Sequence, residues 1–145
     1  MFFGKYNLRL SETSQLTLPS NYRVEMGSPA YLTQGFDQNL LLLSQQTFDA
    51  LYSHVTATSI SDPLARLMSR LFLAEAEEIV IDGSGQIELP PSLCEYAGLG
   101  KEIILVGQGD YTEIWSPALW KNQMDILHDY EANAHRFEKF HVSLT

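Results

Sequence analysis

Three side chains near the C-terminus have the chemical types that hold a transition metal. His128, Glu131 and His135 are spaced i, i+3 and i+7, so one continuous helix would place all three on one face. That spacing matches no established metal motif, and the same stretch carries an apolar stripe, beside which surface histidines are common. The stripe consists of Ile126, Leu127, Tyr130, Ala134 and Phe137. We therefore predict that the chain holds neither a metal nor another cofactor.

The other chemistry-bearing residues do not combine into a catalytic arrangement. Cys94 is the only cysteine, so it cannot form an internal disulfide, and its apolar neighbours predict a partly buried, inert thiol. The segment Gly107-Gln108-Gly109-Asp110 joins two predicted strands, whereas a phosphate-binding glycine loop opens a helix. The four histidines are scattered and form no set with a serine or the cysteine. We predict that the chain is not an enzyme and has no catalytic residues.

Charge divides the chain into two unequal parts. The 145 residues carry a net charge of −9, whereas nucleic-acid binders usually have a basic surface. Up to Leu73, five basic residues balance five acids; beyond it, thirteen acids face four basic residues. If a face of the molecule contacts nucleic acid, the first part is the better candidate.

An internal repeat sets the architecture. The segments LRLSETSQLTLP and IVIDGSGQIELP carry similar residues in the same order at an offset of 71, which aligns Gln15 with Gln86. Further along, Ser44 matches Ser116 at an offset of 72. Two copies of one module are present, and a module of about 45 residues is too small for a stable core of its own. We therefore expect the copies to pack on each other as a pseudo-dimer.

Each copy has the pattern strand, tight turn, strand, short helix, and then a second strand pair that leads into a helix. In the second copy, a hairpin is predicted around Gly83-Ser84-Gly85, and Pro90-Pro91 begins a short helix that ends near Gly98. The strands KEIILVG and YTEIW follow, and Ser116-Pro117 suits the N-cap and first position of the next helix. The pattern predicts a mixed α+β fold.

A separate helix links the two copies. Asp62-Pro63 suits its N-terminus, and its apolar residues follow helical spacing, which predicts a core-facing helix. These apolar residues are Leu64, Leu67, Met68, Leu71 and Phe72. Arg66 and Arg70 lie one turn apart, away from the Leu67 side of the stripe. They would either contact phosphate or simply solvate the helix.

With the repeat established, the local sequence resembles the MraZ family from residue 1 to about residue 125. IDGSGQIELPPSLCEYAGLGKEIILVGQGDYTEIWSPALW resembles the second module of that family, and MFFGKYNLRL with LTLPSNYR resembles the first. The resemblance implies tandem AbrB-like swapped-hairpin modules, residues 1–54 and 76–122, that form a double-split β-barrel pseudo-dimer. Residues 55–75 would then be the inter-module helix, and residues 123–145 a C-terminal helix and tail.

The resemblance also implies a function. MraZ proteins are regulators of transcription that bind repeated promoter sites as ring-like homo-oligomers, in the cytoplasm and at the nucleoid, and control a cell-division and cell-wall gene cluster. Their DNA contacts are associated with a motif in each hairpin turn, an aspartate followed after three residues by an arginine. Here the motif positions hold Ser11 and Gln15 in the first turn and Asp82 and Gln86 in the second. Both arginines are replaced by glutamine.

The replacement predicts weakened, sequence-specific DNA binding. Glutamine can pair with adenine or hydrogen-bond to a phosphate, but it carries no charge, and each lost charge lowers the salt slope of binding by roughly one unit. Several weak loops on one oligomer would offset part of that loss by avidity. The candidate DNA-binding residues are Lys5, Arg9, Gln15, Ser84 and Gln86.

A protein of the interaction class is the alternative. An oligomer that has lost DNA binding would use Phe2, Phe3 and the acidic second part of the chain to contact other proteins. In either case no membrane contact is expected, because the sequence has no apolar run of roughly 20 residues and its start lacks a signal-peptide pattern. The chain is expected to be cytoplasmic.

Overall fold

A computed structural model describes residues 1–143 of the chain. The described part contains eight strands and six α-helices. In chain order the elements are β1 (Lys5–Arg9), β2 (Gln15–Thr17), α1 (Ser20–Met26), β3 (Ala30–Gln34), β4 (Leu40–Ser44), α2 (Gln45–Thr56), α3 (Pro63–Leu73), β5 (Glu77–Ile79), β6 (Gln86–Glu88), α4 (Pro91–Ala97), β7 (Glu102–Gly107), β8 (Thr112–Trp115), α5 (Pro117–Leu127) and α6 (Tyr130–Arg136), followed by a short 3-10 helix, Glu138–Phe140. The α+β class is confirmed.

Local sequence signals determine where the helices begin and end. The Ser116 hydroxyl accepts the Leu119 N–H at 3.2 Å at the start of α5, and an Asp62 carboxylate oxygen accepts the Leu64 N–H at 2.9 Å at the start of α3. At the end of α4, Gly98 takes the left-handed conformation with φ of +63°. The predicted starts of α3 and α5 and the predicted end of α4 are confirmed.

Four of the six strand pairings in the described residues join the two halves of the chain, and this corrects the prediction of a local hairpin on either side of Gly83-Ser84-Gly85. The pairings β3–β4 and β7–β8 are local hairpins, the second as predicted. The six-stranded sheet has the order β1-β7-β8-β4-β3-β5, and β2 pairs with β6 in a separate two-stranded sheet. The turns themselves form, since Ser11 donates its N–H to Gln15 and Asp82 donates to Gln86. Beyond them the strands diverge, because β1 finds five partners along β7 and β5 pairs with β3. Among the described residues the two sheets do not close into a barrel.

The main core lies between the two sheets and is closed by α1 and α4. Leu16 and Ile87 from the two-stranded sheet meet Leu32 and Leu105 from the six-stranded sheet, and all four are buried. A smaller cluster on the other face of the six-stranded sheet packs under α5. It consists of Ile104, Val106, Trp115, Leu119 and Trp120. Burial of the main core from both halves at once makes the two halves one folding unit.

One of the two N-terminal phenylalanines, Phe2, does not lie where the interaction hypothesis requires it. Phe2 is only 4% exposed and packs edge-on against Tyr22 at 5.0 Å, so it belongs to the core. Phe3 is 71% exposed, as expected. The difference arises because a backbone bridge between Phe2 and Gly109 fixes the N-terminal segment across the β7–β8 turn. Phe2 is therefore a core residue and not a docking residue.

The prediction of a core-facing linking helix is wrong for the first turns of α3. Leu64 is 74% exposed and Leu67 61%, whereas Phe72 near the C-terminal end is buried. That end is anchored to β3, since the Thr33 hydroxyl donates to the Phe72 carbonyl oxygen at 2.6 Å. The amphipathic spacing is real, but half of the stripe has no core to face within one chain.

The C-terminal residues form two helices, so the single helix face that a metal would need does not form. His128 ends α5 and Asp129 caps α6, its carboxylate accepting the Ala132 N–H at 3.0 Å. His128, Glu131 and His135 therefore do not lie on one continuous helix. Residues 144 and 145, the end of the predicted tail, lie outside the described residues. Within residues 1–143, no helix is both long and apolar enough to cross a membrane.

Candidate functional site

The two aligned glutamines lie on one surface, the outer face of the β2–β6 ribbon. Gln15 pairs with Glu88 and Thr17 with Gln86, and side chains alternate along each strand. Leu16 and Ile87 point inward and are buried. We call Gln15, Thr17, Gln86 and Glu88 the ribbon face. The repeat at an offset of 71 predicted the alignment of the glutamines, but only the pairing of the two halves brings them together.

One turn stands at each end of the ribbon. Because the strands are antiparallel, the first turn meets the second strand at the bond from the Leu89 N–H to the Ser14 carbonyl oxygen (2.9 Å). The second turn meets the first strand at the bond from the Leu18 N–H to the Gly85 carbonyl oxygen, also 2.9 Å. Leu18 is four positions after Ser14, so the turns lie roughly 14 Å apart along the ribbon. The site is a narrow polar strip with a turn at both ends.

Asp82 organises the second turn. One of its carboxylate oxygens accepts hydrogen bonds from the Ser84 hydroxyl (2.6 Å), the Ser84 N–H (2.9 Å) and the Gln86 N–H (2.9 Å). These donors, the Ser84 hydroxyl foremost, lower the pKa of Asp82 from its ordinary value of 3.8. Asp82 thus acts as a turn cap that fixes the positions of Ser84 and Gln86.

We expect the pH dependence of stability to reveal this cap. A carboxyl group with a lowered pKa in the folded state stabilises the fold above its ordinary value of 3.8, and this contribution is lost as the pH falls through the lowered value. In urea unfolding measured from about pH 2 to pH 6, wild type should therefore be more stable than Asp82→Ala at the upper end, and the two should converge in acid. A stability difference that stays constant across this range would contradict the capping role.

The first turn has a weaker version of the same cap. The Ser11 hydroxyl accepts the Gln15 N–H at 3.0 Å and shares a second hydrogen bond with the Thr13 hydroxyl, also at 3.0 Å. Ser14 takes a positive φ of 59° at the position that Gly85 occupies in the second turn. The Ser11 hydroxyl accepts one backbone N–H where the Asp82 carboxylate accepts two, so the second turn has the more extensive cap.

The basic candidates are separated by the structure. Arg9 ends β1, two residues before the first turn, and lies opposite Glu102. Lys5 begins the same strand and is roughly 20 Å along it from Ser11. Ser84, in contrast, is exposed at the tip of the second turn. Gln15, Ser84 and Gln86 therefore lie on the ribbon and its second turn. Arg9 lies near the first turn, and Lys5 lies apart from this group.

Sequence reasoning missed one basic residue as a site residue. Arg23 in α1 donates from Nε to the Leu18 carbonyl oxygen at 3.2 Å and lies directly against Gly85 of the second turn. Its position in the sequence, after the first turn, gave no sign of contact with the second. The repeat aligns Arg23 with Cys94, and this alignment does not indicate a contact with the second turn.

Acidic side chains oppose anion binding at this surface. Glu12 and Asp82 are exposed on the turns, and Glu88 is exposed on the ribbon face itself. Arg23 is the cation in direct contact with a turn, so the local charge does not favour strong nonspecific attraction to phosphates. What the ribbon face offers is a set of hydrogen-bonding groups, mainly the amides of Gln15 and Gln86.

The rival chemical sites gain no support from the described residues. Within residues 1–143, no group of three or more histidine, cysteine or carboxylate side chains is placed to hold a metal ion. Cys94 is half-buried, and burial raises the pKa of its thiol, which agrees with the prediction of an unreactive side chain. The Gly107–Asp110 segment joins β7 to β8, as expected for a strand connection.

Comparison with known proteins gives consistent matches over most of the chain. A family model described as "MraZ protein, putative antitoxin-like" matches residues 72–141. The chain is 39% identical over 127 residues to a protein of Thermomicrobium roseum named Transcriptional regulator MraZ, covering 88% of this chain and 89% of that protein. A protein of the same name from Herpetosiphon aurantiacus is 35% identical over 129 residues, covering 89% and 90%. One from Carboxydothermus hydrogenoformans is 35% identical over 122 residues, covering 84% and 85%.

Proposed function

The chain belongs to the MraZ family, and from this premise we propose that it regulates transcription by binding duplex DNA sequence-specifically at repeated promoter sites of a cell-division and cell-wall gene cluster. The relatives' name, Transcriptional regulator MraZ, supports the regulatory role. Its place of action would be the cytoplasm and the nucleoid.

The observation that carries the proposal is the ribbon face. A two-stranded antiparallel ribbon fits the major groove of B-DNA, where base edges present a distinct donor and acceptor pattern for each base pair. Gln15 and Gln86 project from the same face of such a ribbon, and a glutamine amide can pair with the N6 and N7 groups of adenine. The turns at the two ends, including Ser84, would contact the flanking phosphates. The proposed contact set is Gln15, Ser84 and Gln86, with Arg9 and Lys5 as more distant contributors.

The proposal extends to the architecture. Strand exchange between the halves supports a tandem swapped-hairpin fold of the AbrB type, with modules 1–54 and 76–122, the inter-module helix in 55–75 and the C-terminal segment in 123–145. A homo-oligomer, in the form of a ring, would cover apolar side chains that one chain leaves exposed, among them Ile60, Leu64 and Leu67. An oligomer would also let several weak ribbons bind repeated sites together.

The test is equilibrium binding of the purified oligomer to a duplex that carries the repeats upstream of its own gene cluster, with a scrambled duplex as the control. Measured at low and moderate salt, binding should be specific, salt-sensitive, and abolished when Gln15 and Gln86 are both changed to alanine. Absence of binding at low salt by an intact oligomer would reject the DNA-binding role. A gene position directly upstream of a cell-wall methyltransferase and division genes would support the regulatory role independently.

The second candidate is an oligomeric interaction protein that has lost DNA contact. The observation that favours it is the combination of a net charge of −9 with exposed apolar side chains, such as Phe3 and Leu64. For such a protein we expect an intact oligomer that binds no duplex at low salt.

A further inference from the structure

The side chain of Arg23 packs directly against the second turn. Arg23 projects from α1, and its Nε donates to the Leu18 carbonyl oxygen at 3.2 Å, while the Leu18 N–H donates to the Gly85 carbonyl oxygen at 2.9 Å. Gly85 is buried and has a φ of +81°, and a Cβ added there would overlap the Nε and Cδ atoms of Arg23. The absence of a side chain at this position is therefore what lets the guanidinium lie on the turn.

Only one nitrogen of that guanidinium donates a hydrogen bond within residues 1–143. Within residues 1–143, neither terminal Nη atom of Arg23 has a hydrogen-bond or ion-pair partner. A guanidinium carries five N–H donors in a rigid fork, and fixing Nε leaves the Nη donors oriented at low entropic cost. Such a group is suited to a phosphate, which can accept two parallel hydrogen bonds from it.

The equivalent place at the first turn has no cation. The repeat aligns Arg23 with Cys94, whose thiol donates to the Leu89 carbonyl oxygen at 3.8 Å, just as Arg23 donates to Leu18. Ser14, the counterpart of Gly85, carries a side chain at the position where the second turn has none. The two ends of the ribbon are therefore chemically different.

We propose that Arg23 binds a DNA phosphate next to the second turn, so that this turn, and not the first, is the stronger phosphate contact of the ribbon. The inference rests on the proposed DNA binding and deepens it, because it identifies which end of the ribbon carries the electrostatic contact. It also assigns Gly85 a role as the position that admits the arginine.

The test compares Arg23→Met with Arg70→Met in salt-dependent binding to the duplex with upstream repeats. Both variants lose one positive charge, but Arg70 lies exposed on α3. Arg23→Met should weaken binding roughly tenfold near 0.1 M salt and lower the salt slope by about one for each bound subunit, whereas Arg70→Met should leave the slope unchanged. Arg23→Lys keeps the charge and should retain most of the slope, which a purely structural role of Arg23 would not produce.

Failure of this inference and failure of the proposed function give different results. Equal salt slopes for wild type and Arg23→Met, with wild type binding specifically, would overturn the role of Arg23 while leaving DNA binding intact. No binding by wild type at low salt would overturn both. Unfolding midpoints of the three variants, measured in parallel, show whether a smaller salt slope reflects the lost charge or a lost fold. The proposal would be contradicted if Arg23→Met is unfolded when its salt slope falls and Arg23→Lys loses its salt slope as well.

Discussion

Changing Gln15 and Gln86 together to arginine should strengthen binding to the repeat-carrying duplex between roughly tenfold and a hundredfold near 0.1 M salt. Each new guanidinium would add one phosphate or guanine contact and release about one counterion, so the salt slope should steepen by about two for each bound subunit. Both positions lie on the outer face of the ribbon and are half-exposed, so longer side chains can be accommodated without disturbing the core. Fluorescence anisotropy over a series of salt concentrations measures both quantities.

The matched control places the same two charges elsewhere. Gln46 on α2 and Asn122 on α5 are exposed, and changing both to arginine adds the same net charge without touching the ribbon or its turns. If this control strengthens binding as much as the ribbon variant, the gain reflects overall charge. That outcome would contradict the assignment of the ribbon as the DNA-contacting face.

The largest effect on stability should follow from changing Glu113 to alanine, with a loss of about 2–4 kcal/mol in the free energy of unfolding. The Glu113 carboxylate accepts hydrogen bonds from Asn39 Nδ2 (2.8 Å), Gln108 Nε2 (3.1 Å) and Trp115 Nε1 (3.2 Å). Asn39 comes from the first half of the chain and is 1% exposed, and Trp115 is also buried. Truncation would leave both buried donors without a partner, at the place where the halves meet.

Chemical unfolding at a fixed protein concentration measures this loss, which corresponds to a drop in Tm of roughly 5–15 °C for a chain of this size. Glu102→Ala is the control, since Glu102 is exposed on β7 and should cost less than about 0.5 kcal/mol. A Glu113→Ala protein as stable as the Glu102→Ala control would contradict the proposed importance of this network.

The contribution of Glu113 to stability should change with pH in the opposite direction to that of Asp82. Burial raises the pKa of Glu113 above its ordinary value of 4.5, because desolvation outweighs the three hydrogen-bond donors. A carboxyl with a raised folded-state pKa contributes stability that is fully present below 4.5 and is lost as the pH rises through the raised value. The stability advantage of wild type over Glu113→Ala should therefore shrink as the pH rises from acid towards neutrality.

Most of the local structure could be predicted from the sequence, because its signals act over a few residues. Ser116-Pro117 and Asp62-Pro63 determine helix starts through hydrogen bonds to the next turn, and Gly98 ends a helix by its own backbone freedom. Which strands pair is decided by burial between distant segments. Local pattern alone favours β5 pairing with β6, whereas both strands pair with the first half of the chain.

The surroundings of a side chain could not be predicted where one sequence pattern is compatible with more than one structure. The spacing of Leu64 and Leu67 requires an apolar partner, but it does not say whether that partner is the same chain. His128 and His135 fit one helix face only if the helix continues, and the Asp129 cap begins a new helix.

The candidate site was predictable to the extent that the repeat specifies equivalent positions. The offset of 71 identified Gln15 and Gln86 as a pair, and the structure places them on one ribbon face. Arg23 could not be assigned to the second turn from the sequence, since its contact with Gly85 depends on strand exchange between the halves. The charge of Lys5 favours a phosphate contact, but the length of β1 separates Lys5 from the first turn.

Hydrogen exchange of the oligomer with and without the repeat-carrying duplex tests the central claim most directly, because it locates the bound DNA on the protein. We expect exchange to slow in the segments 11–17 and 82–88, with the larger change in 82–88, and to stay unchanged in α3. Slowed exchange confined to α3, around Arg66 and Arg70, or no change anywhere under conditions where the duplex is bound, would contradict the assignment of the ribbon face and its turns as the DNA-binding surface.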